Sequence, residues 1–441
     1  MTVPSNASPL ARALASLRRG SNFTRGVAVL SLAMAASQGL VVLASPLVTR
    51  LYDPEDFGVF AIYASLVAVG SVVASLRYEL AIPLPEEEDT AMNLLVLSLV
   101  SALGTSGLVA AIVPIFGSDL ARLTGVPSLA PYIWLLPVSL FGAATYQALT
   151  YWTLRHEGFG TLARTRLMQS GSQVATQLGV GALTRGPIGL LLGDLVGRTG
   201  GSGTLALQAL RKMRLGRVTR AGILAGARTY RRFPLLSTGS GLLNSLGLQA
   251  PVVLLAALYG PRVAGWFALT QRVMALPLTS VGQAFAQVYL SSAAKSARTD
   301  ISGLRNLFAK SAVRLAKIGT VPILVLGMLA PWLFPVLFGP AWEEAGTYVR
   351  IMAPMFAVQF VAVPLSQTLN VLERQGLQLA WDAGRCILVV AALLVPRLMN
   401  VGDVGAITAY SVSMLIAYVF LLAMSLSAVR SRFPGDAVIQ E

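Results

Sequence analysis

The chain has almost none of what builds a soluble catalytic or metal centre. It holds one cysteine, Cys386, and one histidine, His156, in 441 residues. A lone cysteine cannot close an internal disulfide, and structural Cys/His metal sites need several such ligands. His156, in "LRHEGFG", has no nucleophile motif beside it, so no catalytic constellation is present. Charge is scarce too: 12% of residues are charged, about half the share of an average soluble domain. Acids are the scarcer sign, 19 against 34 bases, which leaves a net charge of +15. No Walker-type loop occurs, because "GRTGGSGT" lacks the lysine that reaches nucleotide phosphates and lies inside an apolar window. The chain therefore does not use ATP, and no metal or cofactor is expected.

What is abundant is apolar sequence, 55% of the chain. A spanning helix needs roughly 20 mostly apolar residues, and about twelve windows qualify. They are 26–48, 57–76, 91–116, 128–152, 160–183, 187–210, 234–258, 263–290, 312–338, 347–371, 377–397 and 404–429. Turn signals separate them: Asp53-Pro54, Gly125-Val126-Pro127, Gly186-Pro187, Gly260-Pro261 and Gly339-Pro340. The expected fold is all-α and polytopic, with about twelve transmembrane helices. The first 24 residues are polar and lack the short apolar core of a cleavable signal, so the first span is expected to stay in place.

The bases set an orientation. With the N-terminus in the cytoplasm, that side collects about 25 of the 34 basic residues. Arg12, Arg18, Arg19, Arg25 and the segment 211–232, with Arg211, Lys212, Arg214, Arg217, Arg220, Arg228, Arg231 and Arg232, are among them. The opposite side keeps Arg50, Arg122, Arg185, Arg262, Arg350 and Arg397. Both termini are therefore expected in the cytoplasm. Segment 211–232 has few aromatics and joins two spans, so topology explains its charge better than nucleic-acid binding.

A faint internal match divides the chain. "LYDPEDFGVFAIYASL" (51–66) aligns without gaps on "LYGPRVAGWFALTQRV" (258–273). Leu51, Tyr52, Pro54, Gly58, Phe60 and Ala61 recur as Leu258, Tyr259, Pro261, Gly265, Phe267 and Ala268. Each copy joins the end of one span to the start of the next. Duplicated halves of six spans enter from the same side and are related by pseudo-two-fold symmetry, with a binding site where they meet. The expected division is an N-terminal six-helix bundle (1–210), a basic cytoplasmic linker (211–232) and a C-terminal six-helix bundle (233–441).

These residues also carry a family resemblance. "SPLVTRLYDPEDFGVFAIYASL", "SLRYELAIPLP", "RRFPLLSTGSGLLNSLG", "GPIGLLLGDLVGR" and "VGQAFAQVYLSSAA" resemble the bacterial flippases for lipid-linked oligosaccharide repeat units. That group is the polysaccharide-transport branch of the multidrug/oligosaccharidyl-lipid/polysaccharide exporter superfamily. The resemblance implies alternating access between two six-helix bundles in the bacterial inner membrane. It implies undecaprenyl-diphosphate-linked cargo for O-antigen, lipopolysaccharide or exopolysaccharide synthesis, and polymerase or export machinery as partners. Two rivals remain open: an ion-coupled drug or solute exporter of the same superfamily, and a membrane glycan polymerase or ligase. External connections of about ten residues or fewer count against the second rival.

Such cargo needs cations for phosphate and polar or aromatic groups for sugar. Charges inside a span are costly, so mid-span arginines are functional candidates. Arg198 has Asp194 one turn earlier and Arg385 has Asp382 three residues back, spacings that allow same-face pairs. Arg272 has no acid at helical spacing, and Arg77 closes the second window with Glu79 beside it. Structural pairing and snorkelling are the plainer readings. Thr165, Gln169, Gln173 and Gln177 form a stripe in the fifth window. Tyr146, Gln147, Thr150, Tyr151 and Trp152 cluster in the fourth, and Asn244 marks the seventh. Interhelical hydrogen bonding is the plainer alternative for each. Gly189, Gly193, Gly197 and Gly201 read as a packing face. Glu79, Asp194 and Asp382 are the candidate coupling or gating acids if a proton or sodium gradient drives transport. At the repeat's offset Arg77 and Glu79 correspond to Ala284 and Ala286, so one half alone carries that pair.

Overall fold

The computed structural model describes residues 22–212, 217–278, 282–299 and 301–430. Arg12, Arg18, Arg19 and Arg214, counted above toward the basic face, lie outside these residues. No strand occurs among the described residues, and every apolar window carries helix. The first five are α1 (Asn22–Val48), α2 (Pro54–Ala74), α3 (Glu88–Leu123), α4 (Leu135–Arg155) and α5 (Phe159–Leu183). Window six is broken into α6 (Ile188–Thr199) and α7 (Ser202–Lys212). The break falls at Gly200-Gly201, where Gly201 has φ +80° and a β-carbon would press on Thr165 at 2.7 Å. A short helix, α8 (Arg220–Thr229), lies in the basic segment.

Beyond it come α9 (Thr238–Tyr259), α10 (Pro261–Pro277) and α11 (Gln283–Thr299), the last two dividing window eight. The helices α12 (Ile301–Leu315) and α13 (Val321–Phe338) are joined by a π turn at Ala316–Thr320. The chain ends in α14 (Glu343–Val371), α15 (Gln375–Leu398) and α16 (Asp403–Arg430).

Eight stretches among the described residues are long and apolar enough to cross a membrane. Large apolar side chains such as Leu43, Ile115, Met328, Trp332 and Val336 point outward. In water so much exposed apolar surface would drive aggregation; in a bilayer it is the lipid-facing side. The protein is a multi-pass membrane protein.

The described chain packs as two compact units. The first takes the described residues up to Ala44, Tyr63–Arg122 and Pro127–Leu246; the second takes Ser45–Ile62, Leu123–Val126 and the described residues from Gly247 on. In the first unit the glycine face of α6 meets the polar stripe of α5. A β-carbon at Gly193 would lie 2.4 Å from Gln177, and one at Gly197 2.9 Å from Gln173. Small residues thus bring the two backbones close enough for the glutamines to pack across them.

The second unit is organised around α14, two thirds of whose spanning window is buried. Trp342, fully buried just before α14, packs edge-on to Phe57 at 4.8 Å and donates its indole N–H to the Thr49 carbonyl. Truncating a buried aromatic of this kind typically costs roughly 3–5 kcal/mol. The two copies of the internal repeat also meet here. A β-carbon at Gly58 would fall 1.8 Å from the Pro261 carbonyl oxygen, and one at Gly265 1.8 Å from that of Pro54. Each Pro-x-x-x-Gly motif therefore receives the other's proline carbonyl against its glycine.

A second trace of duplication is invisible in the sequence match. Glu157, after α4, and Glu373, after α14, both take a left-handed backbone with φ 53° and 56°. The following amide of each donates back five residues, Gly158 to Thr153 and Arg374 to Leu369. These helix-ending turns follow the fourth and tenth windows, corresponding places in the two halves.

Candidate functional site

A cavity of about 700 Å³ lies within the first unit, lined by α1, α2, α4, α5 and α6. The sequence accounts for its polarity helix by helix. Helix α5 turns Arg166, Gln169 and Gln173 toward it, α4 supplies Tyr146, Gln147, Thr150 and Tyr151, and α6 supplies Asp194 and Arg198. Helix α1 adds Ser37 and Gln38, set among Leu30, Met34 and Val41.

Among the described residues two arginines and one aspartate line the cavity, a formal charge of +1. Arg198 donates from Nε to Asp194 Oδ2 at 2.5 Å, one turn apart on α6, with Asp194 buried. Arg166 stacks over the Tyr146 ring at 5.2 Å and reaches Gln169 Oε1 at 3.4 Å. Gln169 in turn donates to the Arg198 carbonyl at 3.2 Å, so the two arginines are bridged by one amide. Tyr146 is itself fixed by a 3.1 Å hydrogen bond to Thr165.

Behind this wall sits the connection between α2 and α3. Helix α2 ends at Ala74, before Leu76 and Arg77, which adopt left-handed φ of 52° and 62°. Two consecutive residues with β-carbons in that region store about 1–2 kcal/mol each. The strained turn starts a 3₁₀ segment, Tyr78–Ala81, and turns Glu79 fully inward. Ser75 donates to Glu79 Oε2 at 2.5 Å, and Gln147, a cavity residue, donates to Oε1 at 3.3 Å. Burial pushes the Glu79 carboxyl above the usual carboxylate range, against the opposing pull of Ser75 and Arg77.

Arg77 itself points elsewhere. Its guanidinium lies against Gly241 on α9, where a β-carbon would be 2.2 Å from Nη2. Just beyond, Arg155 at the end of α4 donates to the carbonyls of Pro85 and Glu86 and to Glu88 Oε2. His156 Nε2 meets Glu88 Oε1 at 2.9 Å, so the acidic connection "PEEED" is held by an Arg-His pair.

Of the residues singled out from sequence, Arg198, Gln169, Gln173, Tyr146, Tyr151 and Asp194 converge on this cavity, and Glu79 touches it through Gln147. Thr165 and Gln177 of the same stripe are buried in packing. Arg385 belongs to the second unit, where it lines a separate cavity of about 110 Å³ with Gln271, Gln359, Tyr410 and Tyr418. It stacks over Trp381 at 5.1 Å and pairs with Asp382 at 3.5 Å. Arg272, half-buried on α10, and Asn244, exposed on α9, line neither cavity. Arg166 is the cavity cation that sequence reading passed over. Its place one turn before Gln169 was the available signal, hidden because a base near a cytoplasmic span end satisfies topology unaided.

Comparison with known proteins decides the family. The model of the polysaccharide biosynthesis protein family matches residues 47–347. The chain belongs to the polysaccharide biosynthesis protein family. Amylovoran biosynthesis protein AmsL of Erwinia amylovora is 22% identical over 162 residues, 37% of this chain and 42% of that relative. The match thus spans less than half the length of the curated relative. The family member's fold is that of known transporters. Lipid II flippase MurJ in an inward closed conformation superposes with TM-score 0.67 at 12% identity, covering 90% of this chain and 87% of that one. An inward-facing multidrug resistance MATE family transporter of the MOP superfamily gives TM-score 0.64 at 15% identity, covering 92% and 99%. The all-α polytopic fold expected from the twelve windows is the one these structures share.

Proposed function

We propose that the chain is an alternating-access flippase. It moves undecaprenyl-diphosphate-linked oligosaccharide repeat units from the cytoplasmic to the periplasmic leaflet of the inner membrane. The observation that carries this reading is a net-cationic, amide- and tyrosine-lined cavity inside a bundle whose outer face is apolar. Hydrocarbon excludes a diphosphate and a glycan, while the lipid tails need no shelter.

Arg166 and Arg198 are the proposed diphosphate contacts, since guanidinium forks bind phosphate oxygens bidentately. Gln169, Gln173, Tyr146 and Tyr151 offer hydrogen bonds and ring faces to sugars. Asp194 holds the Arg198 guanidinium, and a cargo phosphate would compete with that carboxylate for it. A proton or sodium gradient acting on Asp194, Glu79 or Asp382 is the proposed energy source. The basic-residue asymmetry supports cytoplasmic termini, with 211–232 linking bundles 1–210 and 233–441.

A strain lacking the gene and any redundant homologue is expected to lose its surface polysaccharide and accumulate lipid-linked repeat units on the cytoplasmic face. Normal surface polysaccharide in that strain would overturn the reading. Lost drug resistance in that strain without any polysaccharide phenotype would favour the exporter instead, whose fold is equally that of the MATE structure.

A further inference from the structure

Outside the cavity, one groove in the first unit assembles a different set of groups. It has a volume of about 520 Å³ and runs between the start of α5 and the end of α7. Helix α5 contributes Thr161 and Arg164, and α7 contributes Thr204, Gln208 and Arg211. No acidic residue lines it. Among the described residues neither Arg164 nor Arg211 enters an ion pair, although Arg155, Arg198 and Arg217 all do. Gln208 lines the groove, and its Oε1 is buried with no hydrogen-bond partner among the described residues. Two uncompensated guanidiniums call for a phosphate, and an orphaned buried acceptor calls for a donor beside it.

Helix α7 explains why these groups gather. Leu205 and Ala209 are buried in the core around Trp152, fixing one face. Thr204, Gln208 and Arg211 then fall along a second face, toward α5. Leu207 and Leu210 are left on a third, 60% and 51% exposed. The groove thus carries two exposed cations, a glutamine with a buried acceptor and apolar Leu207, with Leu210 alongside. Both ends that form it adjoin basic segments, the face assigned above to the cytoplasm, where the bilayer carries its anionic surface charge.

We propose that this groove binds the headgroup of an anionic phosphoglycerol lipid of the cytoplasmic leaflet. Arg164 and Arg211 hold the phosphate, a headgroup hydroxyl donates to Gln208 Oε1, and the acyl chains run along Leu207 and Leu210. The site lies apart from the transport cavity and does not depend on which cargo is carried.

Native mass spectrometry of the full chain in detergent tests it, with phosphatidylglycerol, phosphatidylcholine, phosphatidic acid and inorganic phosphate as probes. Phosphatidylglycerol is expected to be retained in preference to phosphatidylcholine. The double variant R164Q/R211Q should weaken that retention roughly tenfold or more, since each surface base contributes about fivefold to anionic-lipid binding. Removing the same charge elsewhere, in R305Q/K310Q, should leave it unchanged. Gln208→Leu, which keeps both cations, should lose the preference for phosphatidylglycerol over phosphatidic acid. Equal losses in the two double variants would overturn the proposal in favour of unspecific surface charge. Displacement of the lipid by equimolar inorganic phosphate would overturn it in favour of a free-phosphate site.

Discussion

The two units solve the same packing problem in opposite ways. In the first, an arginine-aspartate pair on one helix faces about 700 Å³ of open space. In the second, another such pair faces only about 110 Å³. Arg198 holds a buried Asp194 at 2.5 Å; Arg385 reaches a half-exposed Asp382 at 3.5 Å and rests on the Trp381 ring. The same residue types at helical spacing thus border open space in one place and a nearly filled gap in the other. What separates them is the volume left by their neighbours, which no residue pair reports about itself.

The widest separation should come from the cations. In a complementation assay, R166A/R198A is expected to cut surface polysaccharide at least tenfold while protein in the membrane stays at parental level. R385A is expected to lower both together, because its loss leaves a cavity and an unpaired acid rather than a cargo contact. A functional loss in R385A at full abundance would erase the contrast.

Next in size is the packing that closes the second unit. Gly265→Val places a side chain where the Pro54 carbonyl already lies, and a thermal-shift assay should read a large drop in melting temperature or no folded protein. Gly104→Val, where nothing lies within 4 Å, should be near neutral.

A smaller and pH-dependent effect is expected at Glu79. Its carboxyl is raised by burial, so ionisation opposes folding. The stability it contributes is present below the unfolded-state range near pH 4.3 and is lost as pH rises through the folded value. Glu79→Gln should therefore melt higher than the parent at neutral pH, with the gap closing on acidification. A constant gap across pH would mean that the Glu79 carboxyl titrates alike in the folded and unfolded chain, which would overturn the upward shift. Smallest is Arg77→Gly, which relieves a left-handed residue and should stabilise by about 1 kcal/mol. Lost transport in this stabilised variant would mark Arg77 as a cargo contact.

Much of the fold was legible because lipid imposes length and apolarity on every span. The eight stretches that meet both criteria are α1, α2, α3, α9, the α12–α13 stretch, α14, α15 and α16. Four windows fall short: α4, α5, the broken α6–α7 and the broken α10–α11. Three of those four line the large cavity. Helices α4 and α5 give up apolarity to the polar groups that face it, while α6–α7 falls short in unbroken helix length, 12 and 11 residues. Gly200-Gly201 announced its break only weakly, because glycine also serves close packing. The left-handed turn at Leu76-Arg77 carried no signal, since neither residue favours it and tertiary packing imposes it. Arg272 and Asn244 looked equivalent to the lining residues because the helical face turned toward a cavity is decided by neighbouring helices.

The reciprocal seating of Pro54 on Gly265 and Pro261 on Gly58 has a consequence for how the sequence can drift. Each proline carbonyl is the ceiling over the other copy's glycine, so the four positions form two linked pairs. A larger residue at one glycine requires the opposite helix start to retreat, and the same displacement loosens the second seat. A change at one of the four positions is therefore felt at the other three. The recurrence of Pro54 and Gly58 as Pro261 and Gly265 is the part of the internal match that this seating accounts for.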